Sequence, residues 1–186
     1  MRGFLPPEKI FELVSKDHGQ ERRTVALDPI LCKVARDRGA DMARRNYFDH
    51  VNPGGQGPNF LVRRAGFVLP SFYDNSRSGN NIESIAMHTG DPKAAFALWM
   101  GSGPHRTHLL GNEAFYQEQT SVGVGVLRSP NPPHYRYYVF LSAPANQSTR
   151  PPSVILKDPK GKIIARTRPA VAALPAQFRA DRIPMP

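Results

Sequence analysis

Two of the six histidines stand where the local sequence could present an imidazole to a site. His50 follows an aromatic pair at the exit of a predicted helix and precedes a glycine-rich turn. His105 follows Gly-Ser-Gly-Pro, a combination that we expect to free the chain from a helix and re-aim it. Glu83 lies in an otherwise apolar predicted strand, where a carboxylate needs a partner. Two imidazoles and one carboxylate suit zinc with an open water position, but the spacing alone does not bring them together.

The other chemistry-bearing residues give weaker signals. His105 and His108 are three residues apart and could share a helical face, but we interpret His108 as a flank of the Leu109-Leu110 pair. The single cysteine, Cys32, excludes an intramolecular disulfide. It lies near the apolar side of a predicted helix, which favours a buried residue over a reactive thiol. The chain has no P-loop, no nucleophile elbow and no dinucleotide-binding glycine pattern.

The positive charge is concentrated toward the carboxyl end. The net charge is +10, and residues 147–186 contribute 8 basic against 2 acidic side chains, whereas residues 1–146 contribute 17 against 13. This excess favours an anionic partner such as a cell-wall polymer, lipid headgroups or nucleic acid, or else serves solubility alone. Phe178 is the one aromatic residue in the basic tail, which argues against nucleic acid.

No targeting or membrane-spanning segment is evident in the sequence. No run approaches the roughly 20 apolar residues of a membrane span. Glu8 and Lys9 interrupt the start of the chain before the apolar segment of a signal peptide could form. We therefore expect either a cytosolic protein or a processed one.

The elements that must position these residues form a mixed α and β pattern. Asp-Pro pairs at residues 28–29 and 91–92 predict helix starts. The valines of Val122-Gly-Val-Gly-Val126 share one face of a predicted strand, and the glycines of the other face would let a helix approach closely. Helices are also predicted over 7–18, 29–46 and 58–65, and strands over 81–87 and 135–141. The strand over 135–141 is expected to form an antiparallel hairpin with 122–126. We expect a small hairpin at about 153–167 beyond a Pro-rich linker.

Several short motifs occur together in an order and spacing that resemble one family. They are Leu27-Asp-Pro through Ala35; Ala40-Asp-Met-Ala43 with Tyr47-Phe-Asp-His50; Arg64-Ala-Gly-Phe67; Asn80-Asn-Ile-Glu83; Asp91-Pro92 through Trp99-Met100; Pro104-His-Arg106 with Leu109-Leu110; and Val122-Gly-Val-Gly125 with the Tyr137-Tyr138 strand. From about residue 8 to 145 the chain resembles the CAP superfamily of cysteine-rich secretory, antigen 5 and pathogenesis-related proteins. It is most similar to the bacterial, disulfide-free SCP-like extracellular branch.

The resemblance implies an α+β fold, a three-layer α-β-α sandwich with a central antiparallel sheet, over residues 1–146, followed by the basic tail of 147–186. It also implies a cleft in which His50 and His105 match the family's histidines and which holds zinc or another divalent cation in some members. The carboxylates differ: Asn80 stands where many relatives have glutamate, Glu83 comes later, and Ser102 lies at about the place of a second glutamate. Any metal is therefore expected to bind weakly, with Asn80 as an uncharged substitute ligand. Arg106 is expected to brace the loop or to face an anionic ligand.

Three functions follow from the resemblance and the charge. The first is an extracellular or periplasmic binding module whose cleft takes an unidentified lipid, peptide or glycan. The second is a metal-dependent peptidase or esterase, with Glu83 as ligand or general base beside His50 and His105. The third is a binder of anionic surfaces that acts through the tail. The incomplete carboxylate set favours the first.

Overall fold

The structure, a computed structural model, describes residues 6–131 and 133–145 and the backbone of two strands at 154–157 and 163–167. The chain divides into two units, Met1–Ser148 and Thr149–Pro186. The described helices and strands of the first unit are α1 (Pro6–Ser15), β1 (Ala26–Leu27), α2 (Pro29–Arg45), α3 (Pro58–Arg64), β2 (Glu83–His88), α4 (Pro92–Gly101), α5 (Gly103–Leu110), α6 (Ala114–Gln117), β3 (Ser121–Arg128) and β4 (Arg136–Ala143).

Helix α2 begins where the Asp-Pro signal predicts. The carboxylate of Asp28 accepts hydrogen bonds from the backbone N–H groups of Ile30 (2.8 Å) and Leu31 (3.0 Å). Pro29 takes the first helical position, where its missing N–H costs nothing. The same arrangement opens α4, where Asp91 accepts from the N–H of Ala94 at 3.0 Å. Both predicted starts are therefore confirmed at the level of single hydrogen bonds.

The four strands form one sheet in the order β1-β3-β4-β2. β3 and β4 are an antiparallel hairpin, β2 is antiparallel to β4, and the two-residue β1 runs parallel to β3. This order places β2 at an edge, with Glu83 at its first position.

Helices cover both faces of the sheet, so the predicted α-β-α arrangement is confirmed. On one face Leu31, Val34 and Met42 of α2 are buried with Tyr137 and Val139 of β4. On the other face α1, α4 and α5 pack against the β4 residues that alternate with Tyr137 and Val139 and against the valines of β3. The centre of this second core contains Trp99, Leu109, Val122, Tyr138 and Phe140. Alternation along a strand sends neighbouring side chains into the two separate cores.

The glycine face of β3 is the surface on which α2 lies. A Cβ added at Gly123 would overlap the backbone of Leu31, and one at Gly125 would overlap the backbone of Ala35. The prediction that these glycines permit close helix approach is thus correct.

The predicted end of the first helix differs from the structure. Helix α1 ends at Ser15 rather than His18, because the Asp17 carboxylate accepts from the N–H of Gly19 at 2.8 Å and favours a turn. The Gly-Ser-Gly-Pro segment ends α4 and re-aims the chain as predicted, and a new helix follows at once: α4 ends at Gly101 and α5 begins at Gly103, with Ser102 between them. Pro104 is tolerated in the first turn of a helix, where backbone N–H groups have no intrahelical acceptor.

In the second unit, β5 (Val154–Lys157) pairs antiparallel with β6 (Ile163–Thr167). This is the small hairpin that the sequence predicts. The predicted linker and most of the basic tail lie outside the described residues.

Candidate functional site

Glu83 is buried in an ion pair with Arg38, a residue that sequence reasoning did not single out. Arg38 Nε donates to Glu83 Oε2 at 2.9 Å, and Nη2 donates to Oε1 at 3.1 Å. Both side chains are almost fully buried. The same guanidinium donates through Nη2 to the backbone carbonyls of Asp49 (2.7 Å) and His50 (3.0 Å), and through Nη1 to the hydroxyl of Tyr47 (2.9 Å). Arg38 therefore fixes both the carboxylate and the segment that carries His50.

The position of Arg38 follows from the helical repeat of α2. Leu31, Val34, Arg38 and Met42 recur at helical spacing along the buried side of the helix. An arginine within such an apolar stripe requires a buried acceptor, and Glu83 on the facing sheet is that acceptor. Burial acts to lower the pKa of Arg38, but the charges and hydrogen bonds of Glu83 and Tyr47 together outweigh burial and raise it.

His50 is oriented by Glu83. Its Nδ1 lies 3.0 Å from Glu83 Oε1, and about 38% of its side chain is exposed. An ionised carboxylate only accepts hydrogen bonds, so His50 Nδ1 carries the proton and donates it. In neutral His50 the lone pair is therefore on Nε2, the nitrogen that Glu83 does not contact.

His105 comes to the same region from α5. Its Nδ1 lies 2.9 Å from the hydroxyl of Ser102. Partial burial, followed by electrostatic repulsion from His50, lowers the pKa of His105. Glu83 thus contacts His50 directly, whereas His105 is linked to His50 only through this electrostatic effect. We call these three residues with Arg38 and Ser102 the histidine site.

The histidine site does not offer the three-ligand set that the sequence suggests for zinc. Both oxygens of Glu83 already accept from Arg38, and one also accepts from His50. Within the described residues, no group of three or more His, Cys, Asp and Glu could hold a metal ion. Two imidazoles remain as donors, whereas zinc sites in proteins use at least three protein ligands. A weakly held divalent cation on His50 and His105 stays a prediction.

The auxiliary residues have local roles in this geometry. The amide oxygen of Asn80 accepts from the backbone N–H groups of Ile82 (3.1 Å) and Glu83 (2.9 Å), so it shapes the entry into β2. Arg106 donates from Nη1 to the carbonyl of Met100 at 2.8 Å and so ties α5 to the end of α4. Cys32 is half-buried, and burial raises the pKa of its thiol.

His108 belongs to a different cluster and is more than the flank that the sequence suggests. It is buried, and its two ring nitrogens lie 2.7 Å from the hydroxyls of Ser84 and Ser142. Ser142 in turn donates to Gln119 Oε1 at 2.6 Å. We call His108, Ser84, Ser142 and Gln119 the core polar cluster. Its hydrogen-bonded pairs are 23 to 34 residues apart along the chain, so no local pattern reveals it.

Among the helices of residues 6–131 and 133–145, none is long and apolar enough to span a bilayer.

Known proteins resemble this chain in sequence and in fold. A family model described as CAP, the cysteine-rich secretory protein family, matches residues 19–142. Uncharacterized protein YkwD of Bacillus subtilis (strain 168) is 28% identical over 123 residues, which cover 66% of this chain and 42% of that protein. The chain thus spans less than half the length of this curated relative.

Two solved structures are similar to this chain. An outer surface protein from Borrelia burgdorferi matches 77% of this chain and 98% of its own, with a TM-score of 0.51 and 14% identity. An extracellular protein containing an SCP domain from Bacillus anthracis str. Ames matches 75% of this chain and 45% of its own, with a TM-score of 0.46 and 22% identity. Since the family model covers about two thirds of the sequence, the chain belongs to the cysteine-rich secretory protein (CAP) family.

Proposed function

We propose that this CAP-family protein is an exported binding module that contacts its ligand through the imidazoles of His50 and His105. The observation that carries the proposal is the hydrogen bond between His50 Nδ1 and Glu83 Oε1 at 3.0 Å. It fixes the ring and its tautomer, and it leaves Nε2 as an acceptor. Export is supported by membership in a family described as secretory and by the similar fold of an outer surface protein.

The chemistry of the two imidazoles limits what they can bind. The lowered pKa of His105, caused first by burial and then by His50, favours its neutral form at pH 7. A neutral imidazole can accept a hydrogen bond from a polar ligand or donate a lone pair to a divalent cation. An orienting carboxylate behind one ring nitrogen is also the arrangement that supports metal-bound histidines.

Binding is better supported than catalysis because of the state of Glu83. Its side chain has no exposed surface, and its charge is compensated by Arg38. A general base must be free to take a proton from a substrate or water, and Glu83 could do so only by leaving a buried ion pair. We therefore assign Glu83 the role of positioning His50.

Calorimetric titration with Zn²⁺ at neutral pH tests whether the two imidazoles act together. We expect weak one-to-one binding to the wild-type protein and no binding to His50→Ala/His105→Ala. His18 is exposed, so His18→Ala removes one imidazole elsewhere and should bind as the wild type does. Equal zinc affinity in the wild type and the double variant would contradict a shared site. If the wild type does not bind zinc, the ligand is not a divalent cation of this kind, and the proposed site binds a polar ligand through hydrogen bonds alone.

A further inference from the structure

A cavity lies between α2 and α3, and of the histidine site only Arg38 lines it. Its volume is about 540 Å³, which is within the range of small-molecule sites. Besides Arg38, which is paired with Glu83, four cationic side chains line it, namely Lys33, Arg44, Arg45 and Arg64, together with two acidic ones, Asp37 and Asp41. Val34, Leu61 and Ala65 contribute apolar surface. We call this cavity the α2–α3 groove.

The acidic side chains of the groove are already neutralised by neighbours on α2. Asp37 accepts from Lys33 at 2.6 Å. Asp41 accepts from Arg44 at 2.9 Å and from Arg45 at 3.4 Å. The hydroxyl of Tyr47 donates to Asp41 as well, at 2.8 Å. With two carboxylates against four cations, two positive charges in the groove remain uncompensated.

The uncompensated charge is on guanidinium groups whose donors are largely unused. Arg44 contacts Asp41 through Nη2 alone, and Arg45 through Nη1 alone, although each guanidinium has five N–H donors. Arg64 is exposed and makes no ion pair within the described residues. Arg38 also lines the groove, but its donors are committed to Glu83, Tyr47 and two carbonyls. Arg44, Arg45 and Arg64 are therefore the groups that a ligand would meet.

We propose that the α2–α3 groove binds a phosphate monoester. Guanidinium groups bind phosphate through paired N–H donors. A phosphate monoester carries between about −1.5 and −2 charges at pH 7, which matches the two positive charges left over in the groove. The apolar surface of Val34, Leu61 and Ala65 would contact the organic part of the ligand. The site uses none of the imidazoles of the proposed function and does not depend on it.

The test compares two double variants that lose the same charge. Arg44→Ala/Arg64→Ala removes two groove cations, whereas Arg23→Ala/Arg128→Ala removes two exposed arginines outside the groove lining. Both variants keep the basic tail, so tail binding affects them equally. Calorimetry with glycerol 3-phosphate at low salt should show saturable one-to-one binding to the wild type and to the control variant. The groove variant should bind at least about tenfold more weakly. Equal weakening in both variants would overturn the proposal, because it would reduce the effect to net charge.

Vesicles distinguish a soluble phosphate from a lipid headgroup. Phosphatidic acid carries the same phosphate monoester, and phosphatidylcholine vesicles serve as the blank. If the wild type binds phosphatidic acid vesicles, the groove variant does not, and glycerol 3-phosphate is not bound, the ligand is a lipid headgroup. If glycerol 3-phosphate is bound and the vesicles are not, the ligand is a soluble phosphate monoester. Failure of both probes to bind the wild type, or binding that the groove variant retains in full, would refute the site. In the wild type, amide chemical-shift changes on titration should centre on α2 and α3, a result that does not depend on how the variants fold.

Discussion

Helix α5 carries two histidines three residues apart, and their surroundings are opposite in kind. His105 is half-buried and uses one ring nitrogen, which lies beside the Ser102 hydroxyl. His108 is fully enclosed and uses both ring nitrogens, between Ser84 and Ser142. A ring with a free nitrogen can contact a ligand, whereas a ring with two protein partners can only hold the core together. The comparison shows that residue type and helix position alone do not identify a site.

The edge strand β2 separates the two clusters by a single residue. Glu83 points toward α2 and Arg38, and the next residue, Ser84, points toward α5 and His108. Because successive side chains of a strand face opposite sides, one strand contributes to the cluster proposed to bind a ligand and to a structural one. The histidine site thus has rigid support, since its carboxylate is part of the sheet.

The two clusters also differ in how they compensate a buried arginine. Arg38 of the histidine site has the carboxylate of Glu83. Arg22, beside the core polar cluster, donates to backbone carbonyls of His108 and Leu109, and its Nε finds no hydrogen-bond partner among the described residues. Burial lowers the pKa of Arg22 to about 10. Its charge is one reason, after burial, why the pKa of His108 is lowered.

The largest expected effect is that of Arg38→Met. It leaves the Glu83 carboxylate buried without a counter-charge, and breaking a buried pair in this way costs about 3–5 kcal/mol. Urea denaturation at pH 7 should show this loss in the free energy of unfolding. The double variant Arg38→Met/Glu83→Leu removes both charges and should be more stable than the single variant. A single-variant loss below about 1 kcal/mol would contradict the role of the pair.

A smaller loss is expected from His108→Ala. The change leaves a cavity beside Phe140 and Tyr116 and deprives Ser84 and Ser142 of a partner. Cavity formation and unsatisfied buried hydroxyls together cost about 2–4 kcal/mol. The thermal midpoint should fall accordingly, while zinc binding at neutral pH should remain that of the wild type. Loss of zinc binding in a folded His108→Ala protein would mean that the two clusters are not independent.

The difference between the clusters also explains what the sequence could predict. Asp28-Pro29 predicts the start of α2 because capping is local, and alternation predicts the glycine face of β3 because it depends on period alone. Resemblance to the family, together with local context, indicated His50 and His105 as candidates, and their role stays a prediction. Arg38 was missed although its place in the α2 stripe and the lone carboxylate of Glu83 are both visible in the sequence. Their pairing spans 45 residues, and only the packing of α2 on the sheet joins them.

Acid should destabilise the protein chiefly through His108. The unfolded chain binds a proton at His108 near pH 6.5, but burial, assisted by Arg22, holds the pKa of the folded state well below that value. Below pH 6.5 the unfolded state therefore binds more protons, and the free energy of unfolding falls as the pH falls. The slope for one such group reaches about 1.4 kcal/mol per pH unit. His105, whose pKa is lowered to a lesser degree, acts in the same direction.

Urea denaturation between about pH 7.5 and 5.5, a range that brackets the ordinary histidine pKa, measures this slope. His108→Gln keeps hydrogen-bonding capacity but cannot titrate, so its unfolding free energy should depend less on pH than that of the wild type. His18→Ala is the matched control, since His18 is exposed. An unchanged slope in His108→Gln would place the acid sensitivity elsewhere.

The smallest stability effect is expected from His105→Ala, the counterpart of His108→Ala on the same helix. It removes one partly exposed hydrogen bond to Ser102, which contributes about 0.5–1.5 kcal/mol at most. The effect on zinc binding should be large instead, because His105→Ala removes one of the two imidazoles, and binding should be lost.

Ser102→Ala separates the two contributions of His105, because it removes the same hydrogen bond and keeps the imidazole. Its stability should match that of His105→Ala, whereas its zinc affinity should fall by about tenfold, the lower end of losses seen when the group orienting a ligand is removed. If His105→Ala instead destabilises the fold as much as His108→Ala, His105 is a structural residue and the contrast between the two histidines fails.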